Sequence, residues 1–105
     1  MKAELLIRKR EGLTETAFVK LVIWRVQEPV RGSGHAYKYS LALVSKGVCV
    51  LRYDTEAGKG DHKHISGQEV AYRFTDLARL QTDFWNDVET WRGGNEDSYL
   101  GRVVN

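Results

Sequence analysis

Two histidines two residues apart, His62 and His64, sit in the most polar stretch of the chain, Arg52-Tyr53-Asp54-Thr55-Glu56-Ala57-Gly58-Lys59-Gly60-Asp61-His62-Lys63-His64. If residues 61–65 are extended, both imidazoles project from one face, with Cα atoms ~6.6 Å apart at a rise of ~3.3 Å per residue. That separation lets two rings reach opposite sides of one phosphate. Three readings of the segment compete. In the first, His62 and His64 act as general base and general acid on an RNA 2′-hydroxyl and the leaving 5′-oxygen, because an unperturbed imidazole titrates near ~6.5 and offers both protonation states at neutral pH. Arg52, Lys59 and Lys63 then steady the charge that grows on the phosphate. Asp54 orients one histidine and fixes its tautomer, and Tyr53 adds a substrate contact. In the second reading, His-x-His with Asp54 or Asp61 forms a zinc or manganese site. In the third, these residues are a solvated strand end. Spacing alone leaves all three open.

Neighbouring features have plainer readings. Ala57-Gly58-Lys59-Gly60 lacks the upstream glycine and the following Ser/Thr of a phosphate loop, so it reads as a flexible turn. His35, in a Gly-Ser-Gly-His loop, reads as a solvated residue. Tyr37 and Tyr39 read as sheet packing, with stacking on bases as the functional alternative. Trp24, Trp85 and Trp91 read as fillers of the core or of a helix–sheet seam.

The elements that must position these residues follow from periodicity. Residues 2–9 and 16–26 read as strands, the second rich in β-branched and aromatic residues (Thr16-Ala17-Phe18-Val19-Lys20-Leu21-Val22-Ile23-Trp24). Glu11-Gly12 marks the turn between them, and Pro29 through Gly34 is a flexible loop. A third strand spans Tyr37 to Ser45, with Tyr37, Tyr39, Leu41 and Leu43 on one face. Lys46-Gly47 turns it into a fourth strand, Val48 to Asp54, the most secure hairpin in the chain. Residues 56–60 form a loop, and Asp61 to Ile65 re-enter the sheet as a short fifth strand. A helix begins near Thr75 as N-cap with Asp76 favourably placed at its positive end. Leu77, Leu80, Phe84, Val88 and Trp91 form its apolar stripe, and Gly93-Gly94 stops it. The fold expected is α+β: an antiparallel sheet of four to five strands with one C-terminal helix packed on one face. Ser98 to Asn105 is left undecided between a frayed tail and an edge strand.

Composition sets the outer limits. At 105 residues the chain is expected to be one domain, 1–105, with a single modest core. Its 42% hydrophobic content argues against disorder. Apolar runs such as Leu21 to Trp24 are no longer than four residues, too short to cross a membrane, and charges at Lys2 and Glu4 disagree with a signal peptide. The lone Cys49 cannot form an internal disulfide and reads as a buried apolar residue. A cytosolic protein is the expectation. The net charge of +2 conceals a split: residues 75–97 carry −4 and the remainder +6. A basic body beside an acidic segment suits phosphates on one surface and a second partner on another.

Arg52-Tyr53-Asp54 followed by His62-Lys63-His64 resembles the paired "Arg-Tyr-Asp-Asn … His-x-His" signature of the TumE-like toxins of prokaryotic toxin–antitoxin systems. The likeness extends over most of the chain, through Lys2-Ala3-Glu4-Leu5-Leu6, Val22-Ile23-Trp24-Arg25-Val26, Tyr37-Lys38-Tyr39-Ser40-Leu41 and the helix after Tyr72-Arg73-Phe74. Thr55 stands where the family commonly has asparagine; a hydroxyl remains there for hydrogen bonding. The resemblance implies a growth-inhibiting toxin encoded beside a helix-turn-helix antitoxin, TumA. Taken with the residues, it leads to the expectation of a small, metal-independent ribonuclease that needs no cofactor, with His62, His64 and Asp54 catalytic and Arg52, Lys59, Lys63 and Tyr53 on the RNA. A homodimer is compatible with this reading. The alternatives are a non-catalytic module that blocks a nucleic-acid or protein target through the basic sheet, and a metal-dependent phosphodiesterase or deaminase.

Overall fold

The computed structural model describes residues 3–95. Six strands, β1 (Ala3–Gly12), β2 (Ala17–Val26), β3 (Tyr37–Ser45), β4 (Val48–Glu56), β5 (Gly60–Ile65) and β6 (Gln68–Ala71), precede one helix, α1 (Leu77–Asn95). The strands lie in the sheet in chain order, each antiparallel to the next. This is the α+β architecture expected, with a sixth strand added. Sheet and helix form separate compact units that divide between Arg73 and Phe74. Ser98 to Asn105 lie outside the described residues.

Turn chemistry explains the topology. Lys46-Gly47 has φ of 51° and 79°, and Ser66-Gly67 has φ of 51° and 80°. Both are two-residue turns with positive φ at both central positions, the twist that matches flanking antiparallel strands. The second turn creates β6, a strand beyond the four to five expected. Three residues, Ala57 to Lys59, join β4 to β5, and the Lys59 N–H closes them on the Glu56 carbonyl at 2.9 Å. The first hairpin turns later than Glu11-Gly12, which remain in β1. There the Leu13 and Thr14 N–H groups donate to the Ala17 carbonyl at 2.9 and 3.2 Å.

Alternation divides the sheet into a buried face and a polar one. Val19, Leu21, Ile23, Tyr39, Leu41, Leu43, Leu51 and Tyr53 are buried. Leu21, Leu41, Tyr53 and Lys63 line up across β2 to β5 on that face. Cys49 is exposed rather than buried, because it sits at the start of β4 beside the Lys46-Gly47 turn, where the register slips between Leu43 and Val44. In α1, Leu80, Phe84 and Val88 are fully buried, whereas Leu77 and Trp91 at the ends of the stripe are half-buried. Trp24 and Trp85 are also half-buried. Asp76, not Thr75, caps the helix: its Oδ1 accepts the Arg79 N–H at 2.8 Å, and its carbonyl accepts the Leu80 N–H at 3.0 Å. The helix continues through Gly93-Gly94, since glycine weakens a helix by about 1 kcal/mol but, unlike proline, does not forbid it. No helix among the described residues is long and apolar enough to cross a membrane.

Candidate functional site

The polar face of the sheet is built from two adjacent cross-strand rows. One runs Arg8, Val22, Ser40, Asp54, His62, Ala71; the other runs Arg10, Lys20, Ala42, Arg52, His64, Glu69. The three-residue loop between β4 and β5 sets the register that places Asp54 beside His62 and Arg52 beside His64. Both histidines therefore share one face, as period-two alternation requires, and their ring centroids are 5.0 Å apart.

Around them the geometry is tight. His62 is 3% exposed, and its Nε2 lies 3.0 Å from Asp54 Oδ1, 3.5 Å from Glu56 Oε1 and 3.6 Å from Glu69 Oε2. Its Nδ1 faces the Gly60 carbonyl at 3.3 Å. A carbonyl only accepts, so Nδ1 carries the proton. Arg52 Nε stands 3.2 Å from the other oxygen of Asp54, Oδ2. Although these groups are close, Arg52 Nε, Asp54 Oδ1, His62 Nε2 and His64 Nε2 are all buried without an aligned hydrogen-bond partner. Lys59 donates to Glu69 at 3.2 and 3.3 Å. This pairing raises the Lys59 pKa and holds the Glu69 carboxyl below its usual range. Lys59, His62, Glu69 and Ala71 help line an open hollow of about 330 Å³.

Not every residue expected at the site is there. Tyr53 and Lys63 are cross-strand partners on the opposite, buried face, where Lys63 Nζ donates to the Tyr53 hydroxyl at 3.4 Å. Tyr53 is fully buried and packs edge-to-face on Tyr72 with centroids 4.9 Å apart. Neither side chain shares the histidine face. Thr55, also buried, accepts the Tyr39 N–H at 3.4 Å.

Sequence reasoning does not find the second polar cluster. Asp61 alternates with His62, and its carboxylate accepts from Ser33 Oγ at 2.7 Å, His35 Nε2 at 2.6 Å and the Tyr39 hydroxyl at 2.6 Å. It is therefore spoken for and stands apart from the His62–His64 pair. His35, expected to be solvated, has a side chain only 13% exposed. Its Nδ1 accepts the Tyr37 N–H at 3.1 Å, which leaves its proton on Nε2 for Asp61 and makes the contact a neutral-imidazole hydrogen bond. Burial, then the bond to Asp61, pushes the Tyr39 phenol well above its ordinary range. The loop between β2 and β3 is pinned here a second time: Gly58 N–H donates to the Arg31 carbonyl at 2.8 Å, and Gly32 and Gly60 touch backbone to backbone. The knot holds β5 from behind while its other face presents the histidines.

A family model described as Toxin TumE matches residues 3–92. No curated protein and no solved structure matches the chain.

Proposed function

Because the chain belongs to the TumE toxin family, and so is the toxin of a toxin–antitoxin pair, we propose that its polar sheet face binds RNA and cleaves the backbone at the Asp54–His62–His64 cluster. The observation that carries this reading is the shared face: the same two rows that hold the histidines also carry Arg8, Arg10, Lys20 and Arg52. Lys38 lies one row away beside half-buried Trp24. Arg8, Arg10, Lys20 and Lys38 are exposed. They form a cationic track four strand spacings long, ~19 Å from β1 to β5, that ends at the cluster. Such a track follows a phosphate backbone, and Trp24 offers a ring for a base to stack on. Arg52, held against Asp54, meets the scissile phosphate. The partner that restrains the toxin is a helix-turn-helix antitoxin, and the setting is the cytosol.

The test uses tag-free protein and a mixed-sequence single-stranded RNA with zinc and manganese supplied. Cleavage is expected, with His64→Ala lowering the rate by ~10²-fold or more. Lys20→Glu and Lys38→Glu should weaken RNA binding and flatten its salt dependence by ~0.7 in log–log slope for each phosphate no longer neutralised. Lys9→Glu, on the other face, should not. Full growth arrest by His64→Ala in cells lacking the antitoxin, with no cleavage by the wild type, would replace this reading with a non-catalytic blocker.

A further inference from the structure

We infer that Asp54 Oδ1, His62 Nε2 and His64 Nε2 together bind one divalent cation of the zinc or manganese class, deepening the reading of this cluster as the reaction centre. The inference starts from His62. Its proton is on Nδ1, facing the Gly60 carbonyl, so Nε2 presents a lone pair. That nitrogen is buried, in a side chain 4% exposed, with carboxylate oxygens of Asp54, Glu56 and Glu69 around it at 3.0, 3.5 and 3.6 Å. Lone pairs at these distances repel unless a positive species lies between them.

A second proton on His62 would answer only part of this. Asp54 Oδ1 is off the line such an N–H would take, and His64 Nε2 is buried with no partner of its own. One proton cannot join two ring nitrogens and an oxygen; a metal ion can. The three donor atoms lie within 4.8 Å of one another. The 3.0 Å separation of Asp54 and His62 is close to the edge of a coordination tetrahedron, roughly 3.4 Å for bonds of ~2.1 Å. The wider separations close by small side-chain rotations.

The surroundings match what metal ligands require. A liganding histidine commonly gives its other N–H to a backbone carbonyl, as His62 does to Gly60. A liganding carboxylate is commonly braced through its second oxygen, as Arg52 Nε braces Asp54 Oδ2 at 3.2 Å. Two imidazoles and one carboxylate leave coordination positions open for water or a phosphate oxygen. The site takes the place of the metal-free acid–base pair expected from the sequence, because the cation occupies both ring nitrogens.

The test is calorimetric titration of the tag-free full chain, stripped with chelator, with zinc chloride and separately with manganese chloride. One equivalent is expected for at least one of them, and cobalt(II) should show visible d–d absorption of a nitrogen-liganded ion. Asp54→Asn and His64→Ala, each checked for an unchanged circular dichroism spectrum, should weaken binding by ~10²-fold or more, since even outer-sphere partners are worth 10–100-fold. No saturable binding, or wild-type affinity in both variants, would overturn the inference. RNA cleavage that persists in chelator would also overturn it and leave the ribonuclease reading standing. Metal binding by a chain that never cuts RNA would support the site and refute that reading.

Discussion

Removing the Asp61 carboxylate should weaken the sheet more than any other single polar change on it. The side chain is 8% exposed and accepts three hydrogen bonds, from Ser33, His35 and Tyr39, at 2.6–2.7 Å. Hydrogen bonds to a charged group contribute ~1.5–3 kcal/mol each, and a buried donor left without an acceptor costs ~1–3 kcal/mol. Asp61→Ala takes their shared acceptor from the Tyr39 hydroxyl, in a residue 2% exposed, and from His35 Nε2, while Ser33 is half-buried and recovers a partner from water. Taking the low end for all three bonds and allowing for that recovery gives a loss of ~3–5 kcal/mol, a large part of the ~5–15 kcal/mol that holds a domain. Asp61→Asn should be far milder, ~1–2 kcal/mol. Its amide oxygen can take the Oδ2 position that receives both His35 and Tyr39, and its NH₂ can donate to the Ser33 hydroxyl. Urea titration followed by tryptophan fluorescence, with equal slopes in all variants, measures both losses. An alanine loss below ~1.5 kcal/mol, or one equal to that of asparagine, would refute the claim that this carboxylate gathers the three donors.

The same knot has a pH signature. The buried Tyr39 phenol ionises well above the ordinary 10.0, so the unfolded chain loses its proton first. Its contribution is intact below about pH 10 and is lost as pH rises further, at up to ~1.4 kcal/mol per pH unit, and Tyr39→Phe should remove that part of the alkaline slope in stability. Phe84, fully buried on α1, should cost ~3–5 kcal/mol when cut to alanine; a denaturant-derived loss under about 1 kcal/mol would contradict its burial. Gly60→Ala would drive a Cβ into the Gly32 carbonyl oxygen at a φ of +77°, so it should lose at least ~2 kcal/mol. Gly47→Ala, at a similar φ but in open space, should lose less, and matched thermal melts would show the ordering.

Local chemistry settled much of this protein before any packing. β-Branched and aromatic content marked β2, period-two alternation marked β3, Lys46-Gly47 marked the central hairpin with β4, and the Leu80–Phe84–Val88 spacing marked the helix face. The two-residue step from His62 to His64 put both rings on one face, and the Arg-Tyr-Asp and His-x-His segments carried the family. The same alternation already set Lys63 against its neighbouring histidines and Tyr53 against Arg52 and Asp54, a signal outweighed by the pull of a cation near a presumed phosphate. The Ser66-Gly67 pair carries the same turn signal as Lys46-Gly47, and the expectation of four to five strands passed over it. What needed the tertiary structure was register and distant contact. Parity decides which face a side chain takes, but which residue faces it depends on loop length, and a slip of one would have turned Asp54 away from His62. The three carboxylates around His62 Nε2 come from two strands, β4 and β6, that flank β5. Asp61 meets Ser33, His35 and Tyr39 across 22 to 28 residues of chain. Spacing along the chain is silent on such meetings, because burial and donor–acceptor matching select them only once the sheet has brought the strands together.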